Sequence, residues 1–195
     1  MITIKSYTDA ELLALLDDIE SDRVERKESF KGDTPDRARQ AVCAFANDLP
    51  NHKEPGVLII GAKDNGEPSN IAITDALLLQ ISDMKTDGNI LPLPTITVEK
   101  RVLKGAAMAV ITVYPSDVTP LRYHGRIWIR TGPYRAIASA EEERILNDKR
   151  RYHDLPWDLH PYSTATINDL SQVYFEEEFL PKVFAPDILK ENNRT

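Results

Sequence analysis

Six consecutive residues, Val57-Leu58-Ile59-Ile60-Gly61-Ala62, carry neither a charge nor a polar side chain. A run this short, rich in branched aliphatics, reads as a buried strand. The Asp64-Asn65-Gly66 that follows is a tight-turn signal and closes it. A strand of this kind has to be covered, and helical patterns stand before and after it.

Thr8-Asp9-Ala10-Glu11 is a capping box that opens a helix through about Asp18, with Leu12, Leu13, Leu15, Leu16 and Ile19 on its apolar face. The charged segment from Ser21 to Phe30 reads as a short strand. Its Glu25 and Lys27 point to one face, Val24 and Arg26 to the other. Thr34-Pro35 starts a second helix, with Thr34 as N-cap and apolar positions from Ala38 to Leu49. Thr74 caps a third helix to about Met84. Thr95–Arg101 and Ala106–Tyr114 read as strands joined at Lys104-Gly105. Gly125–Arg130 reads as another strand, and Thr131-Gly132-Pro133 turns the chain. Ser139-Ala140-Glu141-Glu142 is a second capping box, opening a helix to about Arg151. The three glutamates at 141–143 complement that helix's dipole. Thr166 to Asp169 starts a last, acidic helix. The order implies an α/β (α+β) fold, a mixed sheet flanked by helices, over residues 1–151. Residues 152–195 read as a C-terminal extension leading into a further region.

Only one cysteine is present, Cys43, between Val42 and Ala44; this excludes a disulfide framework and predicts an inert core thiol. No signal-peptide pattern and no run long enough to span a membrane is visible, so a cytoplasmic protein is expected. The net charge of −7 is unevenly spread. Residues 1–140 hold 17 Lys and Arg against 19 Asp and Glu, whereas residues 141–195 hold 7 against 12. Residues 118–140 contain four arginines and no carboxylate. Because salt screens charge over about 10 Å, a local basic face on an acidic protein still attracts phosphate.

Three motifs fall in order: Glu20-Ser21 followed by Val24-Glu25-Arg26-Lys27; Ala44-Phe45-Ala46-Asn47; and Leu58-Ile59-Ile60-Gly61-Ala62-Lys63-Asp64-Asn65-Gly66. With Ile127-Trp128-Ile129-Arg130-Thr131-Gly132 and Ala138-Ser139-Ala140-Glu141-Glu142, this series resembles the Schlafen Alba-like domain over about residues 8 to 148. Two departures stand out. The family usually has Phe where this chain has Arg26, which suggests a wetter or salt-bridged strand side. It also usually has a short Asn-x-x-Gly-Gly turn where this chain has the longer 47–56 loop.

The resemblance implies DNA or RNA binding, often within proteins assigned to transcription regulation. In some Schlafen members it implies RNA cleavage by three carboxylates, which fall here on Glu20, Glu25 and Asp64. Hard oxygen ligands of that kind would hold Mg or Mn beside a phosphodiester. Lys27 completes an acid-x-Lys pattern beside them. The basic candidates for phosphate contact are Arg23, Arg26, Lys31, Lys63, Arg122, Arg126, Arg130 and Arg135. The arginines among them are equally readable as part of a solvated strand face. Tyr123, Trp128 and Tyr134 are interleaved with them, as stacking platforms or as core residues. Three functions therefore stand open: a nucleic-acid-binding regulator, a metal-dependent endoribonuclease, and a protein-interaction or homo-oligomerisation module. No phosphate loop and no Gly-x-Gly-x-x-Gly is present, so nucleotide hydrolysis by this segment is not expected.

Overall fold

The computed structural model describes residues 6–18, 22–156, 159 and 166–191. The chain divides into two units, Met1–Asp154 and Leu155–Thr195.

The first unit is built on a four-stranded sheet in the order β1-β2-β5-β4. Its strands are β1 (Val24–Lys27), β2 (Gly56–Ile60), β4 (Thr95–Leu103) and β5 (Ala106–Tyr114). β1 runs parallel to β2, with Glu25 opposite Leu58; the other neighbours are antiparallel. The sheet is therefore mixed, as the element order implies. The apolar run at 57–62 is apolar throughout because both of its faces are covered. Leu58 and Ile60 join the core beneath α2 (Thr34–Asn47) and α3 (Asp75–Ser82). Val57 and Ile59 join the opposite core with Leu12 and Leu16 of α1 (Asp9–Asp17). Alternation along the strand divides its residues between two helix layers.

β3 (Ile90–Leu91) pairs with β6 (Arg122–Tyr123). β7 (Trp128–Thr131) and β8 (Tyr134–Ile137) form a separate hairpin, and α4 (Ala140–Asp154) follows it. Only the turn before β8 is visible as a signal in the sequence; the strand itself is not. β7 begins three residues later than expected, because Tyr123 and Arg126 close a tight loop at Gly125.

The capping boxes form as expected. The Thr8 and Ser139 side chains accept from the amides of Glu11 and Glu142, whose carboxylates reach back. Thr74 caps α3 by accepting from the Leu77 amide. The start of α2 differs by one residue. Asp33 is the N-cap without a side-chain bond, and Thr34 already lies in the helix. α4 passes the expected end at Arg151 and runs to Asp154.

In the second unit, Thr166 bonds the Asp169 carboxylate through both its amide and its hydroxyl. The expected acidic helix is broken into α5 (Gln172–Tyr174), a π-helical turn over Phe175–Phe179, α6 (Leu180–Val183) and α7 (Pro186–Glu191). Pro186 cannot donate to the preceding turn, which accounts for the last break. No helix among the described residues is long and apolar enough to cross a membrane.

Candidate functional site

β1 is an edge strand of four residues, and its alternation decides what each charged side chain meets. Val24 belongs to the α1-side core, so Arg26 faces α1, and Glu25 with Lys27 faces the opposite side.

On that opposite side Glu25 is held by three cations. Lys27 Nζ donates to Oε1 at 2.6 Å and Arg130 donates to Oε2 at 2.7 Å. A nitrogen of Arg135 lies 3.5 Å from Oε1. Arg130 comes from β7 and Arg135 from β8, so the hairpin is what closes the cluster. Burial by itself would raise the Glu25 pKa. Arg135, Lys27 and Arg130 outweigh it and hold the carboxyl below its ordinary range. Arg130 is only 5% exposed. It also donates to the carbonyl of Pro133 at 3.0 Å and lies over the Phe45 ring, 4.9 Å from its centroid. Phe45 in turn rests on Gly56, where a Cβ would fall 2.2 Å from the ring.

Arg135 also donates to the Arg37 carbonyl, on the first turn of α2. Burial lowers the Arg135 pKa, Glu25 opposes that, and the charges of Arg130 and Arg37 add to it. Arg37 is exposed. Lys27, Arg130 and Arg135 share the one carboxylate. None of them pairs with another among the described residues.

The other basic candidates are placed differently. Arg26 is 8% exposed and donates to the carbonyls of Leu15 at 2.7 Å, Leu16 at 3.1 Å and Asp18 at 2.5 Å. It closes the C-terminus of α1 and is not open to phosphate, which corrects the expectation of a wet or salt-bridged strand side. Burial lowers its pKa, against the nearby charges of Asp18 and Asp64. Arg23 donates to the Tyr7 hydroxyl and pairs with Glu54 at 3.5 Å. Arg122 pairs with Glu143. Lys31, Lys63 and Arg126 are exposed. The loop carrying Lys63 begins beside β1, where the Gly61 and Ala62 amides donate to the Lys27 carbonyl.

Of the aromatic candidates, Tyr134 stands 77% exposed at the start of β8. Trp128 packs against the α2-side core. Tyr123 is buried and donates to Asp36; burial and that bond push its pKa up to about 12. Cys43 is buried against the Leu121 carbonyl, and burial pushes its thiol up to about 11, in keeping with an inert core residue.

Glu20 lies outside the described residues. Asp64 is exposed in the turn after β2, and its charge bears on Arg26, on the far face of β1 from Glu25. Both oxygens of Glu25 meet cationic donors. No three His, Cys, Asp or Glu side chains gather to hold a metal ion among the described residues.

Two residues at the site are not foreseen in the sequence reading. Arg37 carries no signal beyond its charge. Asn47, the last residue of the Ala-Phe-Ala-Asn motif, is fully buried. Its Nδ2 donates to the carbonyls of Leu121 at 3.0 Å and Trp128 at 2.8 Å, and its Oδ1 accepts from the Leu121 amide at 2.7 Å. It fastens α2 to the start of β7 and so sets where Arg130 sits.

The mixed sheet, its helix layers and the hairpin-closed cationic edge define a small α/β domain. The chain belongs to the family described as Schlafen, AlbA_2, which matches residues 20–139, more than half of its length. No curated protein matches it. Among solved structures it is similar to the N-terminal domain of a protein from Nitrosomonas europaea related to the ATP-dependent DNA helicase RecG. Identity there is 21% and the TM-score 0.47, covering 69% of this chain and 92% of that one. It is also similar to the DIP2311 protein of Corynebacterium diphtheriae, at 17% identity and a TM-score of 0.47, over 93% of this chain. The chain spans 36% of that protein.

Proposed function

We propose that this chain binds nucleic acid through the face formed by β1, the first turn of α2 and the β7–β8 hairpin, as part of a protein that regulates transcription. One observation carries the reading: Lys27, Arg130 and Arg135 converge on a single carboxylate, with exposed Arg37 beside them. Four cations against one anion leave a local excess of positive charge on an acidic protein. Arginine and lysine so placed neutralise backbone phosphates and release counterions. Tyr134, exposed on the same hairpin, offers a ring on which a base can stack. Membership of the Schlafen, AlbA_2 family supports the same reading.

The test is fluorescence anisotropy with labelled single-stranded and duplex oligonucleotides between 25 and 200 mM salt (on the order of the range over which counterion release is read). Binding that weakens linearly in log–log form with salt is expected. Absence of binding at the lowest salt overturns the reading. The two oligonucleotide arms, run as DNA and as RNA, identify the preferred polymer.

A further inference from the structure

We propose that the cradle of Lys27, Arg130 and Arg135 is a site for one phosphate group, and that in the free protein its occupant is the chain's own Glu25 carboxylate. This rests on the nucleic-acid reading and adds to it a built-in competitor.

The charge arithmetic of the first unit sets this cluster apart. In other ion pairs of this unit a cation meets one acid or two. Arg39 has Asp87, Arg122 has Glu143, Lys104 has Asp17 and Glu67, and Arg101 has Asp9 and Glu99. At Glu25, three cations share one carboxylate. A cluster serving only to hold the hairpin against β1 gains nothing from two surplus charges, because burying unpaired charge is costly.

The donors also exceed what a carboxylate can take. Arg130 is 95% buried by side chain and its Nε has no hydrogen-bond partner among the described residues. Lys27 Nζ has three N–H donors, of which Glu25 takes one. A backbone phosphodiester brings the same single charge as Glu25 on four oxygens rather than two, inorganic phosphate brings up to two charges, and arginine forks suit the geometry of both. Glu25 is 12% exposed, on a short strand at the sheet edge, so its side chain can leave the cradle without breaking the core. Arg37 is exposed beside Arg135, where the next phosphate of a strand would lie.

The experiment compares the wild-type chain with Glu25→Gln. Without the internal competitor, oligonucleotide affinity rises about tenfold, the worth of one charge-assisted contact. The salt dependence steepens by about one phosphate equivalent, a slope change of roughly −0.7 to −0.9. A wild-type chain that binds no nucleic acid defeats the broader reading. A wild-type chain that binds, with Glu25→Gln binding no tighter, defeats this inference alone. Thermal unfolding of the variant in inorganic phosphate against chloride at equal ionic strength is the second readout. Glu25→Gln gains more in Tm from phosphate than wild type does, the wild-type gain measuring the general effect of the salt. A variant that unfolds in chloride and is not restored by phosphate, or whose gain only equals that of wild type, overturns the proposal.

Discussion

Arg130 and Glu25 meet at 2.7 Å although 105 residues separate them in the chain, and the arginine's other face lies on the ring of Phe45. This pair ties the β7–β8 hairpin to the edge of the main sheet. Arg130→Met removes the buried partner of Glu25 and leaves the carboxylate to Lys27 and Arg135. Breaking a buried pair costs about 3–5 kcal/mol, and the remaining cations soften the loss, so about 3 kcal/mol is expected in urea unfolding. An unchanged midpoint would show that the pair contributes no net stability.

The same pair sets an acid limit. The folded-state pKa of Glu25 is held below its ordinary value, so its contribution is fully present above the ordinary carboxylate range. It is lost as pH falls through that range toward the folded value. Unfolding free energy followed from pH 6 to pH 3 (about the window of ordinary carboxylate titration) falls less steeply in Glu25→Gln than in wild type.

Arg26 makes a different prediction from the other arginines. Its three bonds to the carbonyls of Leu15, Leu16 and Asp18 close α1. Arg26→Ala therefore lowers stability by about 2–3 kcal/mol and leaves oligonucleotide affinity of the folded protein unchanged. A selective loss of affinity with stability intact would place Arg26 at the interface.

Tyr134→Ala and Arg37→Ala invert that pattern. Both side chains are exposed, so melting temperatures stay near wild type. Losing a stacking ring costs about 1–3 kcal/mol of binding to single strands. Losing Arg37 flattens the salt slope by about one phosphate equivalent.

Asn47→Ala deletes a side chain that makes three buried bonds. The Trp128 carbonyl and the Leu121 amide lose this partner, while the Leu121 carbonyl keeps the Cys43 thiol, for an expected cost of about 2–3 kcal/mol. Loosening of β7 accompanies it, seen as faster amide exchange at Trp128–Thr131.

What the sequence discloses about this fold is what local chemistry dictates. The apolar run at 57–62, the Thr8 and Ser139 capping boxes and the Lys104-Gly105 turn each carry their own physical signature, and each forms. β8 does not announce itself, because Tyr134-Arg135-Ala136-Ile137 has no apolar face to bury and is held by pairing with β7. The roles of the arginines are not local either. Arg23, Arg26 and Arg130 look alike in the sequence. One pairs with Glu54, one caps a helix and one reaches Glu25, according to strand parity and a hairpin docked from far along the chain. Glu25, Lys27, Arg130 and Arg135 were all candidates on the sequence. That they meet, and share one acid, follows only from the tertiary arrangement.

Among the described residues strand β1 has one neighbour, β2, and is brought to it by the α2 crossover rather than by a short turn. The β4–β5 hairpin can zip from its own turn, whereas the grip on Glu25 waits for chain positions 25 and 135 to find each other. Any ligand held there is therefore a reporter of finished assembly, and a nascent or half-open chain has nothing with which to hold it.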